Sequence, residues 1–227
     1  MLHQLPLPFK LQASFTFENF IASDNQLVID ALSNPSEPFI FLWGNHGSGK
    51  THLLQACCLY QAQLGNTASY LPLKELLGLS PAILEGMAGV DLVCIDDIEL
   101  AFGLTDWEES LFNLFNQIRQ AQGRLVVGSN ASPQHAQINL NDLKSRLSSG
   151  LPLDLKPLSD SSTISALQAR AQQLGWELSH DVASYLITHF PRDLASLWRM
   201  IEELDHASLS AQRKLTIPFL KSTLSNN

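Results

Sequence analysis

The sequence predicts an α/β fold, in which a parallel sheet of five strands has helices on both faces and is followed by a small all-α lid domain. Three observations indicate it. A phosphate-loop pattern lies between an apolar run and a helical pattern, several further apolar runs end in polar residues, and only helical patterns follow Pro157. We expect an extended tail over residues 1–13, an α/β nucleotide-binding domain over 14–156 and the lid over 157–227.

Composition narrows the class of protein. A chain of 227 residues is long enough for one good core and a small second lobe. The net charge of −8 argues against a surface that neutralises many phosphates, so a nucleic-acid role would need a local basic patch. The three cysteines have neither a disulfide nor a metal-ligand spacing, and we expect buried thiols. No secretory leader or membrane-spanning run is recognised, which predicts a soluble cytoplasmic protein.

The phosphate-loop pattern is Gly-Asn-His-Gly-Ser-Gly-Lys-Thr over residues 44–51. The apolar run 39–43 predicts a buried strand before it, and helical spacing after it predicts a helix that stops near Gly65. In this context backbone N–H groups and the helix N-terminus surround phosphate oxygens. We expect Lys50 to pair with the outer phosphates and the Thr51 hydroxyl to reach Mg²⁺. The predicted nucleotide contacts in this segment are Asn45, His46, Gly47, Ser48, Gly49, Lys50, Thr51 and His52.

Aromatic residues alternate over residues 14–21, shortly before a helix predicted over 25–32. Apolar residues just upstream of a phosphate loop often line the pocket for the base. Phe20 and Ile21 are therefore predicted to contact the nucleotide. Plain core packing explains the same composition equally well, and the residues alone leave both readings open.

A second element of the nucleotide site is the apolar strand that ends in Asp96 and Asp97. A short strand over 68–73 and a helix over 81–87 are predicted before it. Ligands of open α/β sheets collect at the carboxyl ends of the strands. Asp96 is predicted to hold Mg²⁺ with the loop threonine, directly or through water. Asp97 lies where a water-polarising base would, although paired acids that end a strand also occur in plain solvated turns.

The next elements are a helix predicted over 106–122 and a buried strand over 124–128 that runs into Asn130. At the end of that strand the Asn130 amide would reach the γ-phosphate or its attacking water. A short helix then carries Arg146, which on its own has the pattern of an ordinary solvated cation. A last strand is predicted over 151–155. The four lid helices are predicted over 159–174, 179–189, 192–206 and 216–224.

The N-terminal tail contains Gln-Leu-Pro-Leu-Pro-Phe over residues 4–9. The two prolines hold it extended and prevent a helix or a central strand. Burying Leu5, Leu7 and Phe9 would yield about 4 to 9 kcal/mol before ordering costs, enough for a micromolar contact with a partner's groove. A tail packed on its own domain accounts for the same residues.

Taken together, the phosphate loop, the paired acids, Asn130, Arg146 and a helical lid with Arg192 resemble a AAA+ module. More narrowly, three segments resemble the nucleotide-binding domain of the bacterial replication initiator DnaA. They are Thr-Phe-Glu-Asn-Phe at 16–20, Ile-Asp-Asp-Ile at 95–98 and Leu-Lys-Ser-Arg at 143–146. The resemblance covers roughly residues 14–224 and does not include the initiator's basic DNA-binding domain.

The resemblance, with the tail, implies a DnaA-related negative regulator of replication initiation. Such a regulator binds the sliding clamp, the beta subunit of DNA polymerase III, and stimulates hydrolysis of the ATP bound to the initiator. By position, Arg146 would be an arginine finger acting in trans, and Arg192 the lid arginine that senses the bound nucleotide. Such a protein would contact DNA only indirectly, through the clamp, and would be located at the nucleoid. Self-association of the chain is a further possibility. The implied clamp contacts are Gln4, Leu5, Leu7 and Phe9.

Two departures from the initiator pattern argue against robust turnover in this chain. Initiator relatives commonly have an acid at the position of Asn130, and the predicted base, Asp97, is one methylene shorter than glutamate. ADP or ATP with Mg²⁺ would then act as a structural switch, with ADP as the resident form. Two other classes fit the sequence: an autonomous ATPase, because the phosphate loop is complete, and a helicase-loader-like factor, which the acidic balance disfavours.

Overall fold

The computed structural model describes residues 11–191 and 193–211. The predicted helix over 216–224 and the tail segment 4–9 lie outside these residues. The described chain divides into two compact units. The first covers residues 11–45 and 49–156, and the second covers 46–48 together with the described residues after 156.

The first unit contains a sheet of five parallel strands in the order β2-β3-β4-β1-β5. This confirms the predicted five-stranded parallel sheet. In the register of β1 and β4, Trp43 lies opposite Ser129, so the loops that follow these two strands start side by side. The strands are β1 Phe39–Trp43, β2 Ala68–Pro72, β3 Leu92–Asp96, β4 Arg124–Ser129 and β5 Leu151–Asp154.

Helices cover both faces of the sheet, as predicted, because alternate side chains of a strand point to opposite faces. In β1, Phe39 and Phe41 pack in one apolar cluster, and Ile40 and Leu42 pack in another. The second cluster includes the free thiols Cys57, Cys58 and Cys94, which are buried as expected. The helices of this unit are α1 Gln26–Ser33, α2 Lys50–Gln63, α3 Leu73–Leu76, α4 Thr105–Gln120 and α5 Asn141–Ser148.

The helix predicted over 81–87 is wrong. Two short 3-10 turns, Pro81–Leu84 and Met87–Gly89, take its place. Gly86 separates them with a φ of 82°, a left-handed conformation that interrupts a right-handed helix. The apolar spacing that predicted a helix instead serves packing, because Leu84 and Met87 lie in the core cluster with Phe39 and Phe41.

Asn25 joins the start of α1 to the end of the first unit. Its side-chain nitrogen donates to Lys156 O at 3.0 Å, and Lys156 N donates to Asn25 Oδ1 at 2.9 Å. The side chain is only 2 % exposed, so both polar atoms of the amide are satisfied inside the protein. The pair fixes the chain at Lys156, the last residue of the first unit.

The second unit is helical throughout its described residues after 156, with α6 Asp160–Gln173, α7 His180–His189 and α8 Leu194–Ala211. Ser159 and Ser179 cap α6 and α7, accepting from Ser162 N at 3.2 Å and Val182 N at 3.4 Å. The α8 side chains Leu197, Ile201 and Leu204 are fully buried in the core of this unit. Among the helices of residues 11–191 and 193–211, none combines the length and apolar character needed to cross a membrane.

Candidate functional site

The loop over residues 44–49 turns the chain from β1 into α2. Gly47 and Gly49 adopt φ values of 75° and 101°, which L side chains rarely accept. A Cβ on Gly49 would also come within 2.7 Å of Phe20 Cε2. The glycines of the motif therefore permit a loop that begins a 14-residue helix directly at Lys50, with the helix N-terminus facing the loop.

Lys50 is buried, and its ammonium group is held by neutral acceptors. Nζ donates to Gly44 O at 2.8 Å, Asn45 O at 3.1 Å and Asn130 Oδ1 at 2.8 Å. These bonds use all three donors of the group. Burial lowers the pKa of Lys50, and three nearby carboxylates, of which Glu99 has the largest effect, oppose that shift. The structure thus places Lys50 and Asn130 in direct contact. One of these residues follows the loop after β1, and the other follows β4.

The carboxylate of Asp96 is the second centre of the site and is 2 % exposed. Its Oδ2 accepts from Thr51 Oγ1 at 2.6 Å and from Tyr70 OH at 2.8 Å. Its Oδ1 accepts from Asp97 N at 3.1 Å. The structure therefore brings together the two residues, Thr51 and Asp96, whose oxygens are predicted to hold Mg²⁺.

Gly128 in β4 makes room for this carboxylate. A Cβ there would lie 2.8 Å from Leu54 Cδ1 and 3.1 Å from Asp96 Oδ1. The absent side chain lets helix α2 and the acidic end of β3 both approach the sheet closely. Sequence analysis gave no role to this glycine.

Tyr70 is a site residue that sequence analysis missed. It lies in β2, the strand paired with β3, and hydrogen-bonds both Asp96 and the buried amide of Gln55. Burial raises the pKa of Tyr70, and the Asp96 carboxylate raises it further. The phenol therefore remains a donor to Asp96 at physiological pH. A polar aromatic residue in an otherwise apolar part of β2 is the sequence signal that was available.

Glu99 is a second missed residue, one helical turn beyond Asp96 in the 3-10 turn Ile98–Ala101. Its Oε1 accepts a short hydrogen bond from Asn130 Nδ2, whereas Oε2 is buried without a hydrogen-bond partner among the described residues. Burial raises the pKa of the Glu99 carboxyl, and the charge of Asp97 raises it further, although hydrogen bonds to the carboxylate act in the opposite direction. Asn130 thus bridges Lys50 and Glu99.

Asp97, the predicted base, directly follows β3 and has a left-handed conformation with φ 54° and ψ 44°. A non-glycine residue there costs on the order of 1 to 3 kcal/mol and is characteristic of functional sites. Leu100 N donates to the Asp97 carbonyl at 3.0 Å, so the strained residue also begins the 3-10 turn that holds Glu99.

His52 ties the upstream aromatic segment to the first turn of α2. Its Nε2 donates to Thr16 O at 2.8 Å, and its ring stacks on Phe15 with centroids 4.6 Å apart. Phe20 meets the same ring edge-on at 5.4 Å and also packs against the apolar cluster around α2. Ile21 is half-buried beside it. Core packing therefore accounts for Phe20 and His52, and their contact with a nucleotide remains a prediction.

The other predicted residues are dispersed. Asn45 and His46 are exposed in the loop, and the Ser48 hydroxyl is buried without a hydrogen-bond partner in the described part of the chain. Arg146 is half-buried on α5, and no described residue forms a hydrogen bond or ion pair with its guanidinium group. The remaining predicted site residues, Arg192, Gln4, Leu5, Leu7 and Phe9, lie outside residues 11–191 and 193–211.

Three features together define a P-loop protein of the AAA+ class. They are the order of the strands, the loop after β1 and the acidic pair at the end of β3. Two family models match consecutive parts of the chain. The bacterial DnaA ATPase domain matches residues 81–154, and the Hda lid domain matches residues 160–224. The chain is therefore a DnaA-related AAA+ protein whose C-terminal part matches the lid of Hda.

Solved structures share this fold. Domain III of the Thermotoga maritima initiator DnaA is 24% identical with a TM-score of 0.82, over 96% of this chain and 98% of that one. Aquifex aeolicus DnaA bound to AMPPCP is 23% identical with a TM-score of 0.73, over 88% and 67%. Thermotoga maritima RuvB, at 16% identity and a TM-score of 0.70 over 92% and 71%, shows how widely the fold is distributed.

The environment of His52 predicts a pH dependence of stability. Burial lowers the pKa of His52 in the folded state, and the hydrogen bond to Thr16 only partly opposes this. The unfolded chain therefore binds the proton more readily, and this contribution to stability is lost as pH falls below about 6.5. We expect the free energy of unfolding, measured with urea from pH 7.5 to 5, to fall less in His52→Gln than in the wild type. Identical pH slopes for the two proteins would contradict this.

Proposed function

We propose that this chain is a negative regulator of replication initiation that stimulates hydrolysis of the ATP bound to DnaA. The observation that carries this proposal is the match to the Hda lid domain directly after a match to the DnaA ATPase domain. The proposed nucleotide site and Arg146, whose guanidinium group no described residue engages, would supply the parts that this activity requires.

The P-loop site is proposed to bind ADP or ATP. DnaA structures with bound AMPPCP have the same fold. The residues here fit a polyphosphate, since Gly47 and Gly49 take left-handed backbone conformations that other residues rarely adopt and the Ser48 hydroxyl lacks a partner among the described residues. Lys50 would exchange neutral carbonyl and amide acceptors for charged phosphate oxygens, which form stronger hydrogen bonds.

Thr51 and Asp96 would hold Mg²⁺, because a hydroxyl and a carboxylate oxygen already lie 2.6 Å apart there. When bound, the ion neutralises negative charge on the phosphate oxygens. Tyr70 donates to the same oxygen, Asp96 Oδ2, and keeps the carboxylate oriented. This arrangement suits binding of a nucleotide better than its hydrolysis by this chain. Asn130 offers a neutral amide that already contacts Lys50 and Glu99, and we expect a weak ATPase in which the nucleotide acts as a switch.

Arg146 is proposed to be the finger that enters the initiator's site. Its guanidinium group is not committed to any hydrogen bond or ion pair within residues 11–191 and 193–211, so it needs no rearrangement to be released. In phosphoryl transfer an arginine supplied in trans stabilises the charge of the transition state and is worth about 10³ to 10⁵ in rate. Arg192 is proposed to sense the nucleotide bound by this chain itself.

The tail is proposed to dock on the sliding clamp as an extended peptide, through Gln4, Leu5, Leu7 and Phe9. Its prolines pre-order the segment and reduce the entropy lost on binding. Attachment to a clamp on DNA would bring the regulator to the nucleoid and raise its effective concentration near the initiator.

An autonomous ATPase is the second candidate, favoured by the assembled contact between Thr51 and Asp96. It differs from the regulator in needing no partner. Steady phosphate release by the purified chain, abolished in Lys50→Ala, would support it over the regulator.

Tyr70→Phe removes one donor to Asp96 and leaves the ring in place. We expect the affinity for ADP in the presence of Mg²⁺ to fall about tenfold, since the carboxylate loses an orienting hydrogen bond. In EDTA the affinity should equal that of the wild type. Tyr60→Phe, on the other side of α2 and packed on Phe17, is the matched control. Equal losses with and without Mg²⁺ would show that Tyr70 does not act through the metal.

Arg146→Ala is expected to abolish stimulation of the initiator, by about 10³-fold or to background, while clamp binding stays unchanged. The assay measures hydrolysis of initiator-bound ATP with the clamp and DNA present. Lys144→Ala removes a cation from the same helix and should stimulate normally. Leu7→Ala combined with Phe9→Ala should instead lose clamp binding. Normal stimulation by Arg146→Ala would refute the finger, and an initiator unaffected by the wild type would refute the regulator.

A further inference from the structure

We propose that Glu108, in α4, is a positioning residue that sets the place of the helix carrying Arg146. The proposal rests on the proposed function of Arg146 as a finger in trans. Glu108 is 1 % exposed and belongs neither to the phosphate loop nor to the paired acids. No step in the nucleotide site uses it.

The Glu108 carboxylate is satisfied by three backbone amides. Oε1 accepts from Gly103 N at 2.7 Å and from Asn139 N at 3.1 Å, and Oε2 accepts from Leu140 N at 2.7 Å. No lysine or arginine of the described chain forms an ion pair with it. Hydrogen bonds from N–H groups to a buried carboxylate are strong and directional. They hold two separate segments of backbone at fixed distances from α4.

One of these segments is the start of α5. The helix begins at Asn141, and Leu140 at its N-cap position provides no side-chain cap. The first N–H groups of a helix have no partner within it, and a negative charge near them is favourable. Glu108 therefore supplies, from a neighbouring helix, an acceptor that the local sequence lacks. Lys144 N donates to Leu140 O at 3.1 Å, so the residue held by Glu108 also closes the first turn of α5.

The position of this turn determines where Arg146 projects. Leu143 and Leu147 of α5 are buried in the core, which fixes the side of the helix that faces inward. Burial alone does not prevent a shift along the helix axis, because leucine side chains tolerate small translations. The directional bonds to Asn139 and Leu140 prevent it. A misplacement of about 1 Å in a catalytic group costs on the order of 10²-fold in rate.

The other segment held by Glu108 follows the acidic strand. Gly103, with a φ of 83°, comes just after the 3-10 turn that contains Glu99, which in turn accepts from Asn130. One carboxylate therefore ties the finger helix to the segment that leaves β3.

The test is Glu108→Gln, in which one acceptor oxygen becomes an amide that opposes a backbone N–H. Initiator-bound ATP hydrolysis is measured as the concentration of the full-length variant is raised, with clamp and DNA present. We expect the rate at saturation to fall about 10- to 100-fold, while the half-saturating concentration and the ADP affinity stay within about twofold of the wild type. Hydrogen exchange of the amides at 103, 139 and 140 should accelerate. Glu109→Gln, exposed on the same helix, is the control.

A purely structural role predicts a different result. If the substitution only unfolds part of the population, more protein restores the full rate, so a normal saturating rate with a raised half-saturating concentration overturns the proposal. Should Glu108→Gln fail to fold, Leu140→Pro removes the N–H donor to Glu108 Oε2 together with most of a partly buried leucine side chain, and the φ of −80° at Leu140 suits proline. It is expected to lower the saturating rate in the same way, and a normal saturating rate likewise overturns the proposal.

Failure of the proposed function can be distinguished from failure of the positioning role of Glu108. If Arg146→Ala stimulates as well as the wild type, the finger assignment fails whatever Glu108→Gln does. If Arg146→Ala is inactive and Glu108→Gln is normal at saturation, only the positioning role fails.

Discussion

The site depends on one constraint, which is that the buried ammonium group of Lys50 must find hydrogen-bond acceptors. Two acceptors, Gly44 O and Asn45 O, follow β1, and the third, Asn130 Oδ1, follows β4. These strands are neighbours in register, so their loops start together. Strand β3 lies beside β4, on the side away from β1. From there the Asp96 carboxylate reaches the first turn of α2 and accepts a hydrogen bond from the Thr51 hydroxyl. A different strand order would remove the Asn130 acceptor from the ammonium group and separate the Thr51 hydroxyl from the Asp96 carboxylate.

Neutral donors, not cations, hold three acids of this unit, of which Asp96 and Glu108 are buried and Glu99 is half-buried. Asp96 accepts from two hydroxyls, Glu99 from the Asn130 amide, and Glu108 from three backbone amides. Within the described residues, no ion pair involves any of these carboxylates. Buried charges satisfied in this way keep fixed directions without engaging arginines. In the described part of the chain, none of these three carboxylates forms an ion pair with Arg146.

Much of the fold followed from the sequence because its signals are local. The glycines of the loop, the continuous apolar runs and Gly65 after α2 each act within a few residues, and the five parallel strands were predicted from them. The failure at 81–87 is equally local in cause. Apolar spacing there matched a helix, but Gly86 in a left-handed conformation divides the segment, and Leu84 and Met87 reach the core from two separate turns.

By itself, the sequence determined the class of site, since a phosphate loop, paired acids and a polar strand end are recognisable wherever the strands lie. The tertiary structure alone decided which residues support those groups. Tyr70 meets Asp96 across 26 residues, Glu99 meets Asn130 across 31, and Glu108 meets Leu140 across 32. Nothing in a local pattern marks such pairs, because a hydrogen bond depends on distance and direction, and only the packing of strands and helices brings these side chains together.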